Sequence, residues 1–269
     1  MIEFFKMSGS GNDFILIDNR DNILPAGNLE EFVKKTCERK TSVGADGLII
    51  IENSGMADFR WRFFNADGSD AEMCGNGGRC AARFAAILGI AEGNLSFETG
   101  AGIISAEVKG DVVKLRLTDP HDIKTDYTIA VQDKLYDVNS INTGVPHVVC
   151  FVDDLESFDV TGYGRMIRYH EIYQPEGTNA NFVYVTGRNT IRIRTYERGV
   201  EDETLACGTG AAASALISSW KNLADSPVDV WVKSGESLKV YFDKTDSGFK
   251  NVYLKGSVRI VYQGHLWEY

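Results

Sequence analysis

The chain has 269 residues, enough for one large or two small domains. Apolar residues make up 43% and charged residues 25%, the balance of a globular protein with a full core. With 28 basic against 38 acidic residues the net charge is −10; this argues against a nucleic-acid or anionic-membrane surface, since either needs a basic face.

Alternating or apolar runs predict strands over 2–6 and 13–18. Asn28 is a candidate N-cap for a helix running to about Arg39, and strands follow over 46–52 and 58–64. A second helix is expected after Cys74, where Ala81, Ala82, Phe84, Ala85, Ile87 and Leu88 give a wide apolar surface. Strands resume at about 94–99, 102–108 and 112–118. Thr118-Asp119-Pro120-His121-Asp122 reads as the crossing into a second half. There, strands are expected near 145–152, 180–186 and 189–196, then a long helix after Cys207 and strands over most of 228–262. Arg188, Arg192, Arg194 and Arg198 alternate along one of these strands; all but Arg198 read as a solvated face. No stretch approaches the ~20 apolar residues of a membrane span. The opening MIEFFKMSGSGNDF lacks the charged-then-apolar layout of a signal peptide, so a soluble, cytoplasmic protein is expected.

The two halves repeat one another. Residues 73–79 read MCGNGGR and 206–212 read ACGTGAA, each a Cys-Gly-x-Gly heading an alanine-rich run. Gly44-Ala45-Asp46-Gly47 and Gly177-Thr178-Asn179-Ala180 form a second matched pair, each leading into an apolar run. Gly9-Ser10-Gly11-Asn12 and Gly144-Val145-Pro146-His147 form a third, in the same order and at nearly the same offset. The expected fold is therefore α+β, with two pseudo-symmetric domains from an internal duplication of a ~130-residue unit. Each would be a mainly antiparallel sheet wrapped around a central helix, with the active-site cleft between them. The boundaries fall at 1–119 and 120–257, and a last strand at about 258–269 is expected to return to the first domain.

Five cysteines, Cys37, Cys74, Cys80, Cys150 and Cys207, are an odd number without C-x-x-C spacing. Neither a secreted disulfide framework nor a structural zinc site is expected, and no metal. Cys37, Cys80 and Cys150 are assigned to packing. Cys74 and Cys207 differ, because the first turn of a helix offers unpaired N–H groups and a positive potential. Glycines allow a bound anion to approach the backbone, and the same field favours thiolate over thiol. Neither motif continues with Gly-Lys-Ser/Thr, which disfavours a phosphate loop of the Walker kind. Two such thiols on pseudo-symmetric halves could take a proton from one face of a carbon and return one to the other. The two helix starts would hold the carboxylate, on which charge grows as the proton leaves. The chemistry so deduced is that of a racemase or epimerase without a cofactor. A duplicated packing motif is the plainer alternative.

At these residues the sequence resembles the diaminopimelate epimerase family. The carrying segments are MSGSGNDFILID (7–18), GADGL (44–48), FFNADGSDAEMCGNGGRCAARF (63–84), GVPHVV (144–149), GTNANFV (177–183) and YERGVEDETLACGTGAAA (196–213). The resemblance implies reversible conversion of LL- to meso-2,6-diaminopimelate by two cysteines without pyridoxal phosphate, in lysine and peptidoglycan synthesis, by a homodimer. It makes Cys74 and Cys207 the proton acceptor and donor. Gly75, Asn76, Gly208 and Thr209 become the cradle for the reacting carboxylate. Glu197 and His147 lie near the reacting amino group, where a neutral imidazole would accept from the ammonium. Asn12, Asn65, Asn179 and Arg198 hold the distal amino-acid end, with Arg198 as bidentate carboxylate partner.

Three departures fall on the distal half of the implied site: Val145 where many members have Asn, Gly47 where some have Gln, and a Gly199–Glu203 stretch one residue longer than in some. A proline or hydroxyproline racemase would use paired cysteines without a distal carboxylate site. A non-catalytic amino-acid-binding module would need the cradles but neither thiol. A thiol–disulfide protein is a further alternative, whereas a phenazine-biosynthesis-type isomerase lacks the cysteine pair.

Overall fold

The computed structural model describes residues 1–24, 27–71, 73–131 and 134–267. The chain divides into two compact units, Met1–Leu115 with Gly256–Tyr269, and Arg116–Lys255. Residues 268 and 269, at the end of the expected last strand, lie outside the described residues.

In the first unit, β1 (Ile2–Gly9) and β2 (Asn12–Asp18) form an antiparallel hairpin. Its two-residue turn places Ser10 and Gly11 at φ of 54° and 98°. A turn with both central residues left-handed matches the twist of the strands it joins. Helix α1 (Leu29–Cys37) then carries the chain across to β3 (Gly47–Glu52), which lies parallel to β2. Such a crossover needs a helix-length connection. The Asn28 side chain accepts from the Glu31 N–H, so the N-cap is where the sequence places it. β4 (Phe59–Asn65) is antiparallel to β3, and the short β5 (Asp70–Ala71) is antiparallel to β4. After helix α2 (Gly75–Ile87), β6 (Asn94–Thr99) runs parallel to β4, and β7 (Gly102–Lys109) and β8 (Val112–Arg116) complete a meander. The last strand of the chain, Arg259–Leu266, pairs antiparallel with β1.

Helix α2 packs against β1, β2, β3, β4 and β7, with its residues from Gly75 to Ala82 all buried. Helix α1 covers the other face, where Ile15, Ile17, Leu48 and Ile50 meet Phe32 and Val33. Four consecutive residues of β2 and five of β3 are buried, because these strands have a helix on each side.

The second unit follows the same order. β9 (His121–Val131) pairs antiparallel with β10 (Lys134–Asn142), as the last strand does with β1. β11 (Pro146–Phe151) is antiparallel to β10, and a crossover through α3 (Val160–Arg168) and a 3-10 turn (Glu171–Tyr173) leads to β12 (Asn179–Gly187), parallel to β11. Then come β13 (Thr190–Glu197), the short β14 (Asp202–Thr204), and helix α4 (Gly208–Trp220). β15 (Val228–Trp231) runs parallel to β13, followed by antiparallel β16 (Ser237–Thr245) and β17 (Gly248–Ser257). Helix α4 packs against β10, β11, β12, β13, β15 and β16. The fold is thus a mainly antiparallel α+β sheet around one central helix, built twice.

Three features depart from the sequence reading. The β9–β10 hairpin and α3 occupy segments where no element was placed. Helix α3 contains Gly162 and Gly164, poor helix formers. Gly164 is there for close approach, since a Cβ would overlap the Tyr196 side chain, 2.7 Å from its Cγ. The expected solvated arginine face is the third. Arg188 is exposed and pairs with Asp225, and Arg192 pairs with Glu156 at the surface. Arg194, however, makes a bidentate pair with Glu203 at 2.6 and 2.8 Å, and its Nη1 donates to the carbonyls of Leu155 and Phe158. It ties the α3 approach to β13 rather than facing water.

Candidate active site

Cys74 is the N-cap of α2 and Cys207 the N-cap of α4, both in extended conformation, and both helices are 13 residues long. Gly78 N–H closes the first turn of α2 on the Cys74 carbonyl, and Gly77 N–H donates to Cys74 Sγ at 3.4 Å. Gly75 and Asn76 supply the remaining N–H groups of that turn. In α4, Ala211 N–H closes on the Cys207 carbonyl, and Cys207 Sγ lies 3.5 Å from Thr209 Oγ1. Here Gly208, Thr209 and Gly210 bring the first-turn N–H groups. Gly210 has to be glycine, because a Cβ would overlap Asn181 Oδ1 and sit 3.3 Å from Cys207 Sγ.

All five cysteines are free of disulfides. Cys37, Cys80 and Cys150 are packed in the interior, and burial pushes each thiol up to about 12. They stay protonated near neutrality, which suits packing and no proton transfer.

Around Cys74 the first unit gathers Asn12 and Asn76. Asn76 Nδ2 donates to Asn12 Oδ1 at 2.7 Å, and Asn12 Nδ2 donates to Asp46 Oδ2 at 3.0 Å. Behind them lies Arg79, fully buried in α2, whose Nη2 donates to Asn76 Oδ1 (2.9 Å) and Ser10 Oγ (2.8 Å) and whose Nη1 donates to the Gly75 carbonyl (3.3 Å). Sequence reasoning passed over Arg79. The available signal was a lone arginine inside the apolar run GGRCAARF. At the outer edge of this network Asp13 takes Lys6 and Arg39; burial works against its ionisation, but those two partners outweigh it and hold the carboxyl near 2. Asn65 is not joined to Asn12 or Asn76. It ends β4, is exposed, and its Nδ2 donates to Ser69 Oγ at 3.0 Å in the turn to β5. Position 47 offers no space for a side chain, since a Cβ would meet the Phe64 carbonyl at 2.6 Å and the Phe63 ring at 2.7 Å.

In the second unit His147, Asn179 and Arg198 cluster. His147 and Asn179 pair across β11 and β12. Asn179 Oδ1 accepts the Arg198 backbone N–H at 2.8 Å, and its Nδ2 donates to the Pro146 carbonyl at 2.9 Å. The Arg198 guanidinium donates to the Glu176 carbonyl at 3.0 Å. Glu197 Oε2 accepts from Thr204 Oγ1 at 2.9 Å. His147 is buried and its pKa is lowered to about 3, first by burial and then by the charge of Arg198, so the ring is neutral. Asn181 Nδ2 lies 3.1 Å from His147 Nδ1 and donates to the Val148 carbonyl at 2.9 Å; Asn181 Oδ1 accepts from Thr195 Oγ1 at 3.0 Å. The Nδ1 side of the ring thus faces the Asn181 amide. Asn181 is the second residue the sequence reading missed. In a strand, Asn179 and Asn181 point to the same side, so the alternation in Asn179-Ala180-Asn181 was the signal. Among the described residues no group of three or more His, Cys, Asp or Glu could hold a metal ion, and no helix is long and apolar enough to cross a membrane.

The twice-built sheet around a central helix is a fold this chain shares with solved proteins of different names. A PhzF-family phenazine biosynthesis protein of Bacillus anthracis superposes with TM-score 0.76 at 16% identity, covering 99% of both chains. A probable proline racemase from Agrobacterium radiobacter superposes with TM-score 0.74 at 13% identity, covering 99% of this chain and 93% of the other. The family model for diaminopimelate epimerase matches residues 4–121 and 139–261. Proteins named diaminopimelate epimerase are 50% identical in Aquifex aeolicus (99% of this chain, 98% of the relative) and 44% identical in Archaeoglobus fulgidus (98% and 96%). The chain belongs to the diaminopimelate epimerase family, a family of isomerases.

Proposed function

We propose that this chain interconverts LL- and meso-2,6-diaminopimelate, with Cys74 and Cys207 as the proton-carrying pair and no pyridoxal phosphate. The observation that carries the reading is the repeated placement of the two thiols, each capping a buried helix that opens on Gly-x-Gly. The names of the close relatives supply the substrate.

One sulfur, as thiolate, takes the α-proton: the C–H bond breaks, an S–H bond forms, and the electron pair moves into the carboxylate. The other, as thiol, returns a proton to the opposite face, so its S–H bond breaks and a new C–H bond forms. No proton is gained or lost overall, and the two sulfurs exchange protonation state. The N–H groups of Gly75, Asn76, Gly208 and Thr209 are assigned to the carboxylate, where negative charge grows in the transition state. The helix dipoles act in the same sense, favouring thiolate at either cap. Glu197 is assigned to the reacting ammonium, whose positive charge acidifies the α-proton. Asn12, Asn65, Asn179 and Arg198 are assigned to the distal amino-acid end; substrates lacking it leave these groups unpaired and are rejected. The product serves lysine and peptidoglycan synthesis.

The test is incubation of reduced protein with LL-diaminopimelate in D₂O. Deuterium at the inverted α-carbon, together with the meso isomer, and neither with Cys74→Ala nor Cys207→Ala, is the expected result. Exchange into proline instead would overturn the substrate. No exchange into any amino acid would overturn the catalytic reading.

A further inference from the structure

The duplicated fold supplies its own control. Phe14 pairs with position 47 as His147 pairs with position 179; Ile49 and Asn181, two residues further on, pair with Phe63 and Thr195. Phe14, Ile49 and Phe63 of the first unit are thus the counterparts of His147, Asn181 and Thr195 of the second. The helix glycines agree. Gly77, three residues after Cys74, approaches Ile49, and Gly210, three residues after Cys207, approaches Asn181. The first set is a buried apolar cluster in which the Phe14 and Phe63 rings meet edge to face at 5.9 Å. The same positions beneath the same kind of helix start are filled by hydrocarbon in one unit and by imidazole, amide and hydroxyl in the other. Packing therefore does not demand polar groups there, and burying them is unfavourable unless each finds a partner. Within the second set one atom has none among the described residues: Nε2 of His147, which is buried.

We propose that Asn181, anchored by Thr195, is a positioning residue that locks His147 in the neutral Nε2–H tautomer, and that this N–H donates to a carboxylate oxygen of the bound amino acid. The amide orientation is not arbitrary. The Val148 carbonyl can only accept, so the Asn181 atom it meets at 2.9 Å is the NH₂ nitrogen. The second hydrogen of that NH₂ faces His147 Nδ1 at 3.1 Å, so Nδ1 accepts and carries no proton. The neutral ring must then hold its proton on Nε2. A buried N–H in the field of the Arg198 guanidinium suits an anion and repels an ammonium. The choice of an amino-acid carboxylate as acceptor rests on the function proposed above; the tautomer does not.

The experiment uses the full chain labelled with ¹⁵N-histidine, which contains four histidines, and assigns the His147 signals by their loss in His147→Gln. The expected spectrum has Nδ1 unprotonated and Nε2 protonated between pH 6 and 8; a protonated Nδ1 overturns the proposal. Pimelate, a dicarboxylate without amino groups, and 1,5-diaminopentane, a diamine without carboxylates, are the probes. Pimelate should shift the Nε2–H signal and the diamine should not. A shift with the diamine alone, or with neither, overturns the anion assignment. Asn181→Ile copies the residue of the first unit and should fold, yet populate both tautomers and lose kcat/KM about tenfold, the scale of one hydrogen bond to a charged group. Thr195→Val, which loosens the amide without replacing it, is the companion variant, expected to mix the tautomers more weakly. Retention of one pure Nε2–H tautomer in both variants overturns the role of Asn181. If the tautomer and the pimelate shift hold while no epimerisation occurs, the function proposed above fails and this inference stands.

Discussion

Arg79→Met removes the buried fork at the start of α2 while keeping a chain of similar length. Three donated hydrogen bonds go with it, to Ser10 Oγ, Asn76 Oδ1 and the Gly75 carbonyl. The serine hydroxyl can turn to another partner, and the Gly75 carbonyl keeps its place in the backbone ladder of α2; Asn76 Oδ1 is stranded, at about 1–3 kcal/mol. Removing the charge also removes its desolvation, which offsets part of this loss. A net destabilisation of about 2 kcal/mol follows, or roughly 5 °C in Tm for a protein of this size. There is a second effect that stability alone would not produce. Arg79 sets which way the Asn76 amide faces, and Asn76 sets Asn12, so KM for diaminopimelate should rise beyond any change in folded fraction. Arg79→Lys restores charge without the fork and should recover stability more than KM. Urea unfolding followed by circular dichroism, paired with steady-state kinetics on the folded fraction, reads both effects. A methionine variant with unchanged midpoint and unchanged KM would refute the reasoning.

The other predictions concern separate features. Cys74→Ala and Cys207→Ala should each lower kcat about 10³-fold, the scale of one acid–base group, with melting temperatures near that of the parent. Asp13 has a folded pKa of about 2, below its ordinary value, so its contribution to stability is full above about pH 4 and is lost as pH falls towards 2; Asp13→Asn should flatten the pH dependence of the urea midpoint in that window. Gly164→Ala should destabilise by about 2 kcal/mol or more, since the new methyl overlaps Tyr196, while Gly187→Ala, with nothing within 4 Å, should be close to neutral by the same unfolding assay. Between pH 5 and 8, kcat/KM should show no inflection from His147, whose pKa lies near 3; an inflection near 6.5 that disappears in His147→Gln would contradict this.

Much of the architecture could be read in advance because period and caps agreed with burial. Ile15, Ile17, Leu48 and Ile50 form short apolar runs, Asn28 stands at a helix start, and each Cys-Gly-x-Gly precedes an alanine-rich stretch. The hidden elements were those whose local preference opposes their state. Helix α3 carries two glycines that serve contacts with Asp159 and Tyr196, and only those contacts explain them. The outer strand β9 alternates, but most of its residues are exposed, so its apolar signal is thin. In the candidate site, the helix starts at Cys74 and Cys207 were legible from the motif, whereas Asn181 and Arg79 were not. Both act through other side chains, and a partner supplied by another strand or an earlier hairpin leaves no trace in local spacing. Arg194 misled for the same reason: its carboxylate partner Glu203 comes from the neighbouring strand β14.

The pairing of the last strand with β1 has a consequence for how the chain is made. Ile2 faces Leu266 across that ladder, so the first unit is assembled from segments that leave the ribosome before and after the whole of the second unit. The whole of Arg116–Lys255 emerges in between and can fold as it appears. Closing a loop costs entropy that grows with the length of flexible chain, about 0.6 kcal/mol per doubling. A segment already folded contributes little to that length, so early folding of the second unit makes the final closure on β1 easier. Until then β1 keeps one edge unpaired on the nascent chain, the feature that chaperones and aggregation compete for.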